Sequence, residues 1–216
     1  MHTVYRTRHI MGALIALGLT AAAIPAHALQ KGDWLVRAGL GHVAPNDKSG
    51  DLSGVAGGKV AVDSATNLAV NFTYMWTDNV GVELLGALPF THDINGAGVL
   101  SGAGKVADTK ELPPTLILLY NFSPKSNVRP YAGAGLNYTK FFGEKTTGAL
   151  AGTSIDLKSS TGLALEAGMD VDIGKDTFFN VSLWRIDIDT QATTALGTVD
   201  VTIDPWVLFV GVGRRF

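Results

Sequence analysis

The stretch NLAVNFTYMWTDNVGVELLGALPF, residues 67–90, decides how the chain folds. Read at every second residue, Leu68, Val70, Phe72, Tyr74 and Trp76 share one face, against Ala69, Asn71, Thr73, Met75 and Thr77. After a polar break at Thr77, Asp78 and Asn79, the apolar face resumes with Val80, Val82, Leu84, Gly86, Leu88 and Phe90, against Gly81, Glu83, Leu85, Ala87 and Pro89. Side chains alternate across a strand, so two such runs joined by a short polar break predict a β-hairpin. One face is large, apolar and aromatic, and the other is small or polar. Enclosing the polar face and exposing the greasy one makes sense only where the outside is lipid.

The rest of the chain repeats this pattern. Residues 33–43, 68–76, 80–90, 106–122, 128–142, 160–173, 177–190 and 198–216 read as eight strands. The connections alternate long and short, as in an up-and-down antiparallel transmembrane barrel with short periplasmic turns and longer outer loops. Inward glycines suit the interior of so narrow a barrel. Several runs exceed the roughly 9–11 residues a spanning strand needs, so their outer ends are expected to rise above the membrane. Past Trp184 the polarity inverts: Arg185, Asp187 and Asp189 take the outward phase, and Ile186 and Ile188 the inward one. This predicts an apolar lining above the membrane plane. Pro113 and Pro114 cannot donate to a sheet ladder, so the fourth strand should lose pairing there.

Arg6, Arg8 and His9, the apolar run at 10–24 and Ala26-His27-Ala28 read as a secretory signal peptide, residues 1–28, ahead of a barrel domain at 29–216. The apolar run is shorter than the roughly 20 residues of a spanning helix. Without the leader, 15 Lys and Arg face 19 Asp and Glu, a formal net charge of −4 that makes no case for nucleic acid. Mean hydropathy is +0.22 although no mature segment could form a transmembrane helix. The chain has no cysteine, which excludes disulfides and thiolate chemistry.

Five stretches resemble the outer-membrane protein W family, of OmpW and OprG type: FTYMWTDNVGVELLGALPFTH (72–92), ELPPTL (111–116), RPYAGAGLNYTKFF (129–142), NVSLWRIDIDT (180–190) and DPWV (204–207). The resemblance implies an eight-stranded, monomeric outer-membrane barrel that takes up small hydrophobic molecules through a narrow channel closed toward the periplasm. It implies exit sideways into the bilayer, with Pro113 and Pro114 at the position where family strands lose pairing. Leu85 and Trp184 match inward apolar positions. The C-terminal Phe216 matches the aromatic that the barrel-assembly machinery reads, whereas Arg214 stands where the family tends to have Tyr.

The candidate channel lining is therefore Leu85, Trp184, Ile186 and Ile188. Core filling is the alternative for Trp184. Arg37, Glu83, Arg129, Glu166, Asp170 and Asp172 take the inward phase, and buried charges demand partners, so a salt-bridged plug in the periplasmic half is expected rather than an open ion path. His42 and His92 read as loop or rim histidines. Asp187, Asp189, Asp200 and Asp204 read as solvated rim charge rather than a cation site. The sequons at Asn71, Asn121, Asn137 and Asn180 read as polar lumen residues. No metal site, cofactor or catalytic set is expected. The alternative function is a structural or receptor barrel acting through its loops, with residues 148–154 the candidate receptor loop. The alternative fold is a soluble lipocalin-like barrel, whose apolar face would point inward. The expected surroundings are outer-membrane lipid and lipopolysaccharide.

Overall fold

The computed structural model describes residues 28–216, so the expected leader falls outside the described residues apart from Ala28. Eight strands form a closed antiparallel ring: β1 (Trp34–Ala44), β4 (Ala65–Met75), β5 (Val80–Ala87), β8 (Thr115–Asn121), β9 (Val128–Thr146), β11 (Ser160–Asp172), β12 (Thr177–Ile186) and β15 (Trp206–Arg215). They pair in that order, and β15 returns to β1 from Leu35 opposite Arg215 to Ala44 opposite Trp206. Closure satisfies the backbone groups that hydrocarbon cannot solvate.

The long connections are not plain loops. They build a second storey from β2 (Lys48–Ser49), β3 (Gly58–Val62), β6 (Phe90–Gly98), β7 (Lys105–Leu112), β10 (Ile155–Leu157), β13 (Asp189–Thr194) and β14 (Gly197–Thr202). On one side β9 continues upward and pairs with β7, then β6, then β3. On the other, β10, β13, β14 and β2 form a separate four-stranded sheet. Four of the long strands expected from the sequence are therefore each two strands, broken at Leu88-Pro89, Pro113-Pro114, Asp187-Ile188 and the stretch 203–205. Proline accounts for three of these breaks, because it lacks the ladder donor. At the fourth, the Asp204 carboxylate accepts the Ile188 N–H at 3.2 Å and holds Arg185 at 3.1 Å.

The faces divide as the alternation requires. Phe72 is 44% exposed and Leu165 57%, while Glu83 and Asp170 are 0% exposed. The large apolar side chains face outward, which rules out the lipocalin-like arrangement. Trp34, Tyr74, Trp76, Tyr120, Phe122 and Phe216 crowd the periplasmic end of this outer face. Arg214 points outward as its phase requires and lies over the Phe216 ring, 5.3 Å from its centroid.

Inside, the lower half is a polar plug. The Arg37 guanidinium donates to both Asp170 oxygens, at 3.0 and 2.8 Å, and to Glu83 at 2.7 Å. Thr73 donates to the same Glu83 oxygen. Asn180 donates to Asp170 and to the Tyr131 hydroxyl, which donates to Glu166 at 3.2 Å. Nearer the periplasm, Arg129 pairs with Asp172 at 2.6 Å. Glycine makes the room: a Cβ at Gly168 would stand 2.5 Å from the Tyr131 ring, and one at Gly213 would stand 2.3 Å from the Phe178 ring. Below the plug, Leu29, Leu35, Met75 and Phe178 form an apolar seal, and the Leu29 N–H donates to the Pro124 carbonyl at 2.7 Å.

Two substitutions test this layout. Leu84→Lys puts an ammonium on the lipid face near mid-wall and is expected to cost about 2–4 kcal/mol. It should appear as a lower denaturant midpoint in lipid vesicles, with Thr193→Lys on the exposed outer storey nearly silent. Arg37→Met strands Glu83 and Asp170 without their cation and should cost about 3–5 kcal/mol. Arg37→Lys, which keeps the charge but loses the planar fork, should cost less in the same assay.

Candidate functional site

Above the plug the interior turns mostly apolar. Alternation continues into the second storey, so β3, β6, β7, β10, β13 and β14 each turn one face inward. Val60, Ile94, Val106, Ile155, Val199 and Val201 from these strands help to line a chamber of about 90 Å³, whose wall is almost wholly apolar. Directly below lies a smaller cavity of about 20 Å³, walled by Gly41, Val43, Ala69, Leu85, Ala87, Phe90, Pro113, Trp184, Ile186, Val207 and Phe209. Most of their walls belong to one apolar cluster that runs from Leu52 and Val199 down to Ile117, Leu119 and Tyr131 at the plug, while Ile94 and Val106 form a second cluster that meets it at Val60 and Ile155.

Three of the four residues expected to line a channel, Leu85, Trp184 and Ile186, meet around the smaller cavity. Ile188 is buried in the same cluster and lies on neither cavity wall. Trp184 is fully buried and donates its indole N–H to Ser182 at 2.9 Å, which fixes the ring over the plug. Of the proline pair, Pro113 is buried against this cavity and Pro114 is exposed on the outer face.

The proline break has a definite side. Toward β9 the wall stays closed, because the Tyr138 N–H donates to the Pro114 carbonyl at 3.0 Å and Asn137 reaches the Pro113 carbonyl at 3.3 Å. Toward β5, pairing stops at Leu85 opposite Thr115 and resumes only at Phe90 opposite Glu111. Between these pairs no ladder joins residues 86–89 to residues 112–114. The smaller cavity lies behind this gap.

The six inward charges all belong to the plug just described, below both cavities. The four sequon asparagines are buried inside the barrel, as their phase required. His42 is exposed and bonds Thr66 at 2.8 Å. His92 departs from its reading as a rim residue. It is buried, with Nδ1 at 2.7 Å from the Asp63 carbonyl and Nε2 at 3.2 Å from Glu111. The partner was invisible in the sequence because Glu111 sits on another strand, and only the β6–β7 register brings the two together. The walls of the upper chamber were missed for a different reason: short alternating runs such as Val199-Asp200-Val201 and Ile155-Asp156-Leu157 lie within stretches read as loops or as ends of barrel strands.

Asp187 and Asp189 are exposed, and Asp204 is engaged by Arg185 and by the Ile188 N–H. Among the described residues, no His, Cys, Asp and Glu side chains gather as a metal set.

His92 is a pH-sensitive element of the upper storey. Burial opposes the imidazolium, but the Glu111 carboxylate and the Asp63 carbonyl outweigh it, so the His92 pKa rises above its ordinary value. A pKa raised on folding contributes stability in full below the unfolded value of about 6.5, and that stability is lost as pH climbs through the folded value. Stability in lipid should therefore decline across that window, and His92→Gln should flatten the decline. Denaturant titrations at a series of pH values measure both.

The chain as a whole has close relatives among known proteins. The model of the OmpW family matches residues 30–216. The chain is 41% identical over 216 residues to outer membrane protein W of Vibrio cholerae, covering 96% of this chain and 98% of that one. It matches the crystal structure of OprG from Pseudomonas aeruginosa with a TM-score of 0.81 at 41% identity, covering 89% of this chain and 99% of that one. The dibenzothiophene metabolism operon protein PahQ of Pseudomonas aeruginosa is 30% identical over 197 residues, covering 87% of this chain and 90% of that one. With an eight-stranded ring whose greasy face meets lipid and matches that run nearly end to end, the chain belongs to the OmpW family and is a β-barrel of the Gram-negative outer membrane.

Proposed function

We propose that this barrel is a passive entry route for small hydrophobic molecules. On this reading a solute enters the upper chamber from outside, passes the smaller cavity beside Phe90 and Trp184 and leaves sideways through the gap beside Pro113 into the bilayer. The observation that carries the reading is the dead end. An apolar interior runs down from the outer storey and stops on the Arg37–Glu83–Asp170 plug, where an apolar molecule gains nothing by going further and would break buried ion pairs if it did. An interruption of the strand ladder stands beside the lower cavity, just above that floor. The name of the PahQ relative, a dibenzothiophene metabolism operon protein, agrees with an apolar cargo.

Leu85, Trp184 and Ile186 would line the last stage before exit, and Pro113 and Pro114 would keep the side gap unpaired. Burying a polar group without a partner on this path is costly, so Leu85→Asp with Trp184→Asp should greatly reduce the rate at which whole cells or proteoliposomes take up an apolar aromatic solute. Ala87→Trp, which fills the lower cavity, should slow uptake while leaving the heat-modifiable gel mobility of a folded barrel unchanged. Unaltered uptake in folded forms of both variants would end the proposal and favour a structural or receptor barrel.

A further inference from the structure

The outer surface above the lipid belt is not uniform in charge. On the side of the proline break it carries Lys110 on β7 and Lys140 on β9, both exposed. Lys110 stands opposite Phe142 and Lys140 opposite Leu112, so the two lysines are diagonal neighbours on one face. Such positions are about 7–8 Å apart, a separation at which two flexible ammonium groups can converge on one phosphate.

Among the described residues, neither lysine forms an ion pair, unlike Lys105 and Arg185. Lys105, higher on the same sheet, is held by Asp93 at 2.7 Å and Asp108 at 3.3 Å. Arg185, across the barrel, is held by Asp204 at 3.1 Å, and the exposed charges just above it are the carboxylates Asp187 and Asp189. The half-buried Glu144 lies beyond the Gly143 bend, where β9 shifts register against β7.

The height of the pair matters as much as its charge. From Val128 at the periplasmic turn, β9 reaches Tyr138 in a length that fits the roughly 9–11 residues a tilted strand needs to span. Lys140 is the next outward side chain, and Lys110 lies one step higher. Leu116, Leu136 and Tyr138 continue the same face downward as exposed apolar surface. The face therefore offers two unneutralised cations at headgroup level over a strip suited to acyl chains. In the outer leaflet of this membrane the lipid with that profile is lipid A, which carries phosphates on its sugars directly above several acyl chains.

We propose that Lys110 and Lys140, with the apolar strip formed by Leu116, Leu136 and Tyr138, are a docking site for a phosphorylated lipid A molecule. The ammonium groups form charge-assisted hydrogen bonds to a phosphate, and the strip packs against the chains. The site lies outside the barrel and does not depend on the uptake proposal.

The test uses the purified protein in detergent. It is mixed with diphosphoryl lipid A, with enzymatically dephosphorylated lipid A or with inorganic phosphate, and bound lipid is read by native mass spectrometry. Diphosphoryl lipid A should be retained and the dephosphorylated form largely lost. The double variant Lys110→Gln, Lys140→Gln should retain at least about tenfold less lipid, the scale of a single lost charge-assisted contact being the minimum for two. Lys59→Gln with Lys145→Gln, also exposed on the outer storey, should retain it normally. Equal retention of both lipids, or undiminished retention by a Lys110→Gln, Lys140→Gln protein with folded-barrel gel mobility, would overturn the site. Full displacement of lipid A by millimolar inorganic phosphate would overturn the lipid as its occupant.

Discussion

A wall immersed in hydrocarbon has to pair its own backbone, because nothing around it can accept or donate a hydrogen bond. That demand explains the closed ring, the antiparallel order and the return of β15 to β1. It also explains why the unpaired stretch beside Pro113 is made as it is. Proline removes the donor that would otherwise be stranded, and two of the carbonyls near the break are occupied, that of Pro113 by Asn137 and that of Pro114 by Tyr138. What remains open faces β5 alone. The break stands at the height where spanning strands give way to the second storey, so part of its backbone lies near headgroups and water rather than mid-bilayer.

The interior obeys the opposite economy. Charges taken out of water need partners at close range, and the plug supplies them from strands that are distant in sequence. Arg37 on β1 meets Glu83 on β5 and Asp170 on β11, so one guanidinium links three parts of the ring across the lumen. Its stacking near Tyr131 and Phe178, at 5.2 and 5.5 Å, fills the space between them. A solid floor of this kind excludes a continuous water column. The apolar residues above it then need no solvent, and the polar groups His92, Glu111 and Thr190 on the upper chamber's wall are engaged by protein partners.

Much of this was legible in the sequence, for a physical reason. A period of two with a lipid-facing side is a strong signal when repeated eight times, so the ring, the orientation of Phe72 and Leu165, and the inward set of charges could be read from residue phase alone. Pairing partners could not. Phase says that Arg37 and Asp170 point inward, but only closure of the ring brings positions 133 residues apart to 2.8 Å. The same limit hid the His92–Glu111 pair. The second storey was obscured by its strand length: β3, β10 and β14 are 5, 3 and 6 residues long, and glycines interrupt the alternation around them. Reading residues 106–122 as one strand overlooked that proline divides a ladder into two rather than merely notching it.

The sizes of the two cavities constrain any passage between them. A cavity needs roughly 10–15 Å³ on this scale to hold one water molecule, so the lower cavity of about 20 Å³ is large enough for little more than a water, while the chamber of about 90 Å³ is several times larger. A solute that fits the chamber therefore cannot reach the proline gap without displacing side chains. Trp184 is braced by Ser182 and backed by the plug, and Gly41 opens space against Phe90, where an added Cβ would come within 3.3 Å of the ring. Phe90 is thus the freer of the two rings, and it begins β6 immediately after Leu88-Pro89, as the first paired residue above the gap. Movement there would widen the lower cavity and the gap together, so that the barrel need never hold an open pore.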